Sequence, residues 1–311
     1  MRTQINTNTG VLYKKPKLKK KDLKDYCWAY FMIAPTIIGL IILNVWPIIQ
    51  TFWLSLHKTM DFGSNEFVRL DNYKYLLQDT AVMQAAANTF KYAIIAVPVG
   101  IIFSLAIAVL LNSNIKGKSI YRTIYFLPMV SAPAAIAMVW KWMYNTEFGL
   151  FNYLLSLVGI KGPSWLTNPN IALGAIIVVG IWSSIGYNMV ILLAGLQEIP
   201  ATFYEAAEID GAGPFRKFFS ITLPLLSPTM FFVVVTTVIS SLQVFDYIFM
   251  MIDKTNAAME KTQSLVYLFY KYSFVMNDKG YGSTIIMFLL VIVMLITIAQ
   301  LYFQKKWVHY Q

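Results

Sequence analysis

The sequence predicts an all-α integral membrane protein with six transmembrane helices. Of its 311 residues, 58% are hydrophobic and only 13% are charged, and the mean hydropathy is +0.58. A chain of this composition is too apolar for a soluble globule. Its apolar residues are grouped into segments of about 20 residues or more, the length at which a helix crosses the hydrocarbon of a bilayer. Together these observations predict a bundle of membrane-spanning helices.

Six such segments follow one another along the chain. They lie near residues 28–56, 86–111, 120–143, 171–196, 227–251 and 283–303. The first is longer than a bilayer requires and contains Pro35 and Pro47, so we expect a kink or an early exit near Trp46. It is too long for a secretory signal and lacks a small-x-small cleavage site, so we expect it to be retained. Pro128 and Pro133 in the third segment are expected to be packing kinks.

The distribution of charge predicts the orientation. The chain has ten more positive than negative charges, and eight of its 25 Lys and Arg residues precede Cys27. The run KKPKLKKKDLK directly before the first span is typical of a cytoplasmic anchor that contacts anionic lipid. A nucleic-acid-binding tail is a weaker alternative, because the run has no interleaved aromatic residues. Six spans place both termini in the cytoplasm, which gives a basic tail at 1–27, a membrane domain at 28–303 and a short tail at 304–311.

Two segments between the spans have apolar residues at helical spacing. They read FVRLDNYKYLLQD between spans one and two, and FGLFNYLLSLVGIKGPSWL between spans three and four. The spacing predicts a short surface helix in each. Both segments are apolar enough either to bind a protein or to lie on lipid.

A polar segment from Glu205 to Pro224, EAAEIDGAGPFRKFFSITLP, separates spans four and five. It carries five charges, each of which costs about 2.5–3.5 kcal/mol at the centre of a bilayer, so the segment must lie in water. Good helix formers follow Glu205, the sequence GAGP from Gly211 breaks the helix, and phenylalanines then recur at helical spacing. The pattern predicts two short helices that meet at a glycine elbow. The alternative is an amphipathic loop lying on lipid headgroups.

The spacing of this segment resembles the EAA loop of permease subunits of binding-protein-dependent ABC importers. Glu205-Ala206-Ala207 is followed by three residues, Gly211, nine residues and Ile221-x-Leu223-Pro224. The resemblance implies that residues 197–226, hereafter the coupling segment, dock on an ATPase subunit. The residues that it assigns to coupling are Glu205, Ala206, Ala207, Asp210, Gly211 and Pro224.

Most of the chain from Trp28 onward is similar to the MalF-like sugar permeases among these importers. The similar stretches are WSSIGYNMVILLAGLQEIP from Trp182, VFDYIF from Val244 and KYSFVMNDKGYGS from Lys271. One departure is the loop MIDKTNAAMEKTQ from Met251, where many members have a Gly-Gly-Pro turn. The geometry of this loop therefore cannot be carried over from the family.

The resemblance implies a type I importer permease of MetI-like architecture in a bacterial cell membrane. It implies a complex with a homologous second permease, two ATPase subunits and an extracellular solute-binding protein, and a sugar as the substrate. ATP and Mg²⁺ would be bound by the ATPase, and this chain would bind no cofactor, metal or nucleic acid. A permease for another small solute, such as a glycerol phosphate derivative, is the nearest alternative. A secondary transporter would need internal repeats, and an intramembrane enzyme would need a nucleophile and base within the spans.

Polar side chains in hydrocarbon usually mark a transport pathway, and they are densest in spans four and five. Ser240, Gln243 and Tyr247 are spaced so that they would share one face of a continuous helix. Aromatic residues beside amide and hydroxyl groups suit a sugar. The predicted pathway consists of Trp182, Tyr187, Asn188, Ser240, Gln243, Asp246 and Tyr247, with Ser183 and Ser184 nearby. Hydrogen bonds between helices are the alternative explanation for these residues.

No catalytic or metal site is predicted. Lys116-Gly117-Lys118-Ser119 ends like a phosphate-binding loop, but it lacks the first glycine and follows a membrane span rather than a strand. His57 and His309 are predicted to lie on opposite faces of the membrane, which excludes a shared metal site. The single cysteine, Cys27, rules out an internal disulfide.

Overall fold

The computed structural model describes residues 20–59, 65–113 and 115–308. Most of the basic tail predicted at 1–27, and the last three residues of the tail predicted at 304–311, therefore lie outside the described residues. The described chain is almost entirely helical, and its one described sheet has two short strands. The described chain forms two compact units, which divide between Trp53 and Leu54.

The first unit is built on one long helical segment. Helix α1 spans Lys20–Leu40, a π-helical turn spans Ile41–Val45, and α2 spans Trp46–Ser55, ending just inside the second unit. The segment continues past Trp46, so the chain does not leave the helix there. The π-helical turn ends two residues before Pro47, whose missing N–H leaves the carbonyl of Leu43 within the turn without an α-helical partner.

The second unit contains the remaining helices, described here as far as they position the site. Three of them are long and apolar: α4 (Thr80–Asn112), α8 (Ala172–Glu198) and α16 (Lys279–Trp307). With the first segment, four helices are long and apolar enough to cross a membrane. Two bent pairs raise the number to as many as six if each is one span. The described residues thus give an all-α membrane fold.

The third predicted span is sharply broken. It consists of α5 (Lys118–Val130) and α6 (Pro133–Met143), which meet at 100°. The prediction of packing kinks is wrong at Pro133, because this proline begins a new helix, where its missing N–H would be unpaired in any case. The second bent pair joins residues 214–225 to α12 (Ser227–Leu242) at 68°.

The fifth predicted span also ends early. Helix α12 stops at Leu242, residues 243–245 are not helical, and a short helix α13 (Asp246–Met251) follows. The prediction that Ser240, Gln243 and Tyr247 share one face of a continuous helix is therefore wrong. The α-helical hydrogen bonds stop between Ser240 and Tyr247, so the helical spacing of these residues no longer determines which face each side chain occupies.

The core of the second unit is the packing of α4 along α8. At one point of this contact, a side chain on Gly100 would meet the Ser184 hydroxyl at 3.1 Å. Ser104 donates to the carbonyl of Ile185 at 3.3 Å, across the same contact. Small residues allow such close approach in membrane helices, where packing rather than hydrophobicity holds helices together.

Short elements complete the fold. The two predicted surface helices are confirmed as α3 (Asp71–Gln78) and α7 (Leu150–Leu157). Strands β1 (His57–Thr59) and β2 (Asn65–Phe67) pair antiparallel. After α13 come α14 (Ala257–Thr262), α15 (Leu265–Tyr270) and a π-helical turn at Lys271–Val275.

Buried hydrogen bonds fix the loop between α14 and α15 to the rest of the unit. The Asn88 amide donates to the carbonyl of Gln263 at 3.0 Å, and the backbone N–H of Leu265 donates to Thr89 Oγ1 at 3.1 Å. Ser264 Oγ donates to the carbonyl of Val244 at 2.6 Å. This last bond satisfies a carbonyl that the break after α12 leaves without a helical partner.

Candidate functional site

The coupling segment forms the predicted elbow. Helix α9 spans Ala201–Ile209, α10 spans Pro214–Lys217, a π-helical turn follows at Phe218–Thr222, and α11 covers Leu223–Leu225. Gly211 has φ +71°, as the elbow requires. The predicted geometry of two short helices joined at a glycine is confirmed.

Gly211 ends α9 through a pair of characteristic backbone bonds. Its own N–H donates to the carbonyl of Glu208 at 3.0 Å, and the N–H of Ala212 donates to the carbonyl of Ala207 at 2.8 Å. This is the Schellman arrangement, in which a left-handed residue after the helix satisfies its last carbonyls. A side chain at Gly211 would meet no atom within 4 Å, so only the backbone conformation demands glycine.

Two side-chain contacts connect the arms of the elbow. Lys217 Nζ lies 2.6 Å from Glu208 Oε1, and the hydroxyls of Tyr204 and Thr222 lie 3.0 Å apart. The hydrogen bond from Lys217 lowers the pKa of the Glu208 carboxyl, and the positive charge acts in the same direction. The pair is largely exposed on the Glu208 side, so its contribution to stability is small.

The tip of the elbow is apolar and exposed. Ile209 is 89% exposed and Phe215 is 80% exposed. Among the residues assigned to coupling, Ala207 and Asp210 line a cavity of about 330 Å³ between the arms, together with Arg216 and other residues of the second arm. Glu205, Ala206 and Asp210 are exposed, and Pro224 lies within α11, just before the bend of the second bent pair. An exposed apolar tip beside a small cavity is a surface suited to a protein partner.

A second cavity, here called the central cavity, lies where α12 breaks. Its volume is about 190 Å³. Its lining comes from α4, α8, α12, the break itself and the start of α13: Tyr92, Ala96, Gly180, Ser183, Ser184, Thr237, Ser240, Ser241, Gln243, Val244, Phe245, Asp246 and Tyr247. The structure thus brings together four of the seven predicted pathway residues, Ser240, Gln243, Asp246 and Tyr247.

The other three predicted residues do not line this cavity. Asn188 is 2% exposed and accepts a hydrogen bond from Thr237 at 3.2 Å. It therefore contacts a residue that lines the cavity but does not face the cavity itself. Its Nδ2 has no partner. Tyr187 is on an exposed face of α8. Trp182 packs edge-on against Trp140, with ring centroids 5.5 Å apart.

Sequence reasoning missed several lining residues on other elements. Tyr92 comes from α4 and reaches the cavity because Gly180 leaves room for its ring, where a side chain would meet the Tyr92 hydroxyl. Thr237 lies one turn before Ser240. Gly180 is the sequence signal that could have indicated the close approach of Tyr92. It could be recognised only once the packing of α4 against α8 was known.

The arrangement supports binding rather than a chemical reaction. The central cavity offers hydroxyl, amide and carboxylate groups beside aromatic rings. In the described part of the chain, no three His, Cys, Asp or Glu side chains are grouped so as to hold a metal ion. The polar groups that line the central cavity can instead hold a polar solute through several hydrogen bonds.

Comparison with known proteins identifies the family. The profile described as "Binding-protein-dependent transport system inner membrane component" matches residues 96–309. The chain belongs to this family. It is therefore a multi-pass membrane component of a binding-protein-dependent transport system, and its role is transport rather than catalysis.

Two curated relatives match almost the whole chain. The trehalose/maltose transport system permease protein MalF of Thermococcus litoralis is 35% identical, covering 92% of this chain and 95% of the relative. The sn-glycerol-3-phosphate transport system permease protein UgpA of Escherichia coli is 32% identical, covering 91% and 95%. Among solved structures, a bacterial ABC transporter that imports the acidic polysaccharide alginate contains a chain with a TM-score of 0.81. That chain is 23% identical, with coverage of 92% and 98%, and supports the fold.

Proposed function

We propose that this permease moves a neutral sugar, a di- or oligosaccharide, from an extracellular binding protein into the cytoplasm. The observation that carries the proposal is the lining of the central cavity. Four serines and a threonine from α8 and α12, with Gln243 at the break, supply neutral hydrogen-bonding groups, and Tyr247 and Phe245 supply aromatic faces. Such a lining matches the hydroxyl groups and apolar ring faces of a sugar. The similarity to a trehalose/maltose permease supports the same substrate class.

The charge of the central cavity favours a neutral substrate over a phosphate ester. Its described lining contains Asp246 but no Lys or Arg. A phosphate would meet a like charge without a cation to offset it, which is unfavourable at low dielectric. This argues against glycerol phosphate, although several relatives are named as sn-glycerol-3-phosphate permeases.

The permease requires partners for energy and for substrate capture. We assign ATP and Mg²⁺ to two copies of a separate ATPase, which would bind the exposed tip around Phe215 in the coupling segment. A homologous second permease would complete the pathway, and an extracellular binding protein would deliver the sugar. The coupling segment and both termini would then face the cytoplasm, with the basic tail on anionic lipid.

Uptake by the complete transporter tests the proposal. The chain is co-expressed with its partner subunits and binding protein, and uptake of radiolabelled maltose, trehalose and glycerol 3-phosphate is measured. We expect ATP-dependent uptake of at least one of the two sugars and none of glycerol 3-phosphate. Uptake of glycerol 3-phosphate alone would overturn the neutral-sugar assignment. Uptake without a co-purifying ATPase would indicate a secondary transporter.

A further inference from the structure

The loop that departs from the family pattern encloses a cavity of its own, here called the loop cavity. Its volume is about 290 Å³. Nine residues line it: Lys254, Thr255, Asn256, Ala257, Met259, Glu260, Gln263, Tyr267 and Lys271. It lies at the end of α12 opposite the coupling segment, because the chain enters α12 from that segment and reaches this loop after leaving it. On the proposed function, this end faces the binding protein.

The loop cavity presents polar groups that no neighbour satisfies. Gln263 is 4% exposed and lines the cavity; its backbone N–H and carbonyl are bonded to Met259 and Asn88, whereas its side chain forms no hydrogen bond within the described residues. Within the described ranges, Glu260 and Lys271 form no ion pair. Because the Gln263 amide lines the cavity and has no partner in the described chain, it is available to hydrogen-bond a polar ligand.

A layer of aromatic rings joins the loop cavity to the central cavity. Phe245 lines the central cavity and lies 6.5 Å from Tyr267, which lines the loop cavity. Phe245 also stacks on Phe249 at 5.1 Å, and both rings contact Tyr270. Lys254 Nζ lies 4.9 Å from the centre of the Phe249 ring, so it covers this layer from the loop side.

We infer that the loop cavity is a second saccharide site, which holds one sugar ring before the substrate enters the central cavity. The inference rests on the proposed transport of a neutral sugar. The volume is at the lower end of the range for small-ligand sites, which suits one ring of a di- or oligosaccharide. Gln263 and Glu260 supply an amide and a carboxylate for sugar hydroxyls, and Tyr267 supplies an aromatic face. The rings behind it lead to Phe245 and the central cavity.

Protection of an engineered cysteine tests this site without relying on transport. In a Cys27→Ser background of the complete permease–ATPase complex, Thr255→Cys places a thiol in the loop cavity. Lys261→Cys places a matched, exposed thiol nearby on α14, outside the lining. Maleimide labelling rates are measured in proteoliposomes without binding protein or nucleotide, with and without maltose or trehalose.

We expect sugar at about ten times its Kd to slow labelling at position 255 by about tenfold, because only the empty site reacts, and to leave position 261 unchanged. Adding Gln263→Leu should abolish this protection while the labelling rate without sugar stays the same. Protection at both positions would indicate a conformational change and overturn the site. Protection by the binding protein alone, but not by sugar, would make the loop a docking surface instead.

The two proposals fail in distinguishable ways. Normal sugar uptake without protection at position 255 overturns the loop cavity site and leaves the proposed function standing. If neither sugar is taken up, the proposed transport of a sugar is wrong, and the saccharide site in the loop cavity, which rests on it, is wrong as well.

Discussion

Gly211 is the residue on which the shape of the elbow depends most directly. Its φ of +71° costs an L-residue about 1–2 kcal/mol, and more for a β-branched side chain. Gly211→Val should therefore abolish most transport while membrane insertion stays normal. Gly211→Asn is the matched control, since asparagine tolerates this conformation, and should retain most transport. Uptake and ATPase activity in proteoliposomes measure both. Full activity of the valine variant would show that the elbow does not need this backbone conformation.

Gln243 offers a test of substrate contact at a single side chain. It lines the central cavity and lies in the turn between α12 and α13, so Gln243→Leu should leave the unfolding temperature nearly unchanged. Loss of one hydrogen bond worth about 1 kcal/mol should lower sugar affinity about fivefold. Sugar-stimulated ATPase activity measures the change. Gln78→Leu, the same substitution on the surface helix α3, is the control. Equal activity of the two variants would remove Gln243 from the pathway.

Asn188 shows why sequence alone could not separate contact from packing at the residue scale. Its polarity in a membrane helix predicted a role in the pathway, but the structure places it behind Thr237. Both a ligand contact and a helix-to-helix hydrogen bond require the same residue type. Only its position relative to the cavity distinguishes them, and that position depends on the packing of α8 against α12.

At the scale of elements, the breaks in helices that could be predicted are those caused by residues at the break itself. The elbow was predictable because Gly211, Gly213 and Pro214 interrupt a helix by their own backbone properties. The break after Leu242 was not, because QVFD contains neither glycine nor proline. There the helix ends where Ser264, 20 residues further along, donates to the Val244 carbonyl. A tertiary hydrogen bond leaves no signal in the local sequence.

Helix α8 provides a matched pair of glycines that tests the packing. A side chain on Gly186 would collide with the backbone carbonyl of Tyr125 in α5, whereas one on Gly174 would meet nothing within 4 Å. Gly186→Ala should therefore lower the thermal unfolding temperature, since backbone cannot move aside cheaply. Gly174→Ala should raise stability by about 0.5–1 kcal/mol through helix propensity alone. Thermal unfolding of the purified complex measures both. Equal stability of the two variants would contradict the close contact of α8 with α5.

At the scale of the whole molecule, the all-α membrane fold was predictable from hydropathy, but the number of crossings is not fixed by it. Four helices are long enough to cross alone, and the α5–α6 pair is bent by 100°. If that pair crosses the membrane, four crossings separate the N terminus from the coupling segment and both lie on one side. If the pair re-enters instead, three crossings place them on opposite sides.

Two cysteines decide between these topologies. The native Cys27 is exposed and reports the N-terminal side, and Phe215→Cys in a Cys27→Ser background reports the tip of the elbow. In cells that express the permease without its ATPase, which would cover the tip, we expect an impermeant maleimide to label neither before permeabilisation and both after it, because the basic tail favours the cytoplasm and six spans return the elbow to it. Lys261→Cys should be labelled in intact cells. Labelling of position 215 but not Cys27 from outside would show that α5 and α6 form a re-entrant pair, and the coupling segment could then not meet a cytoplasmic ATPase.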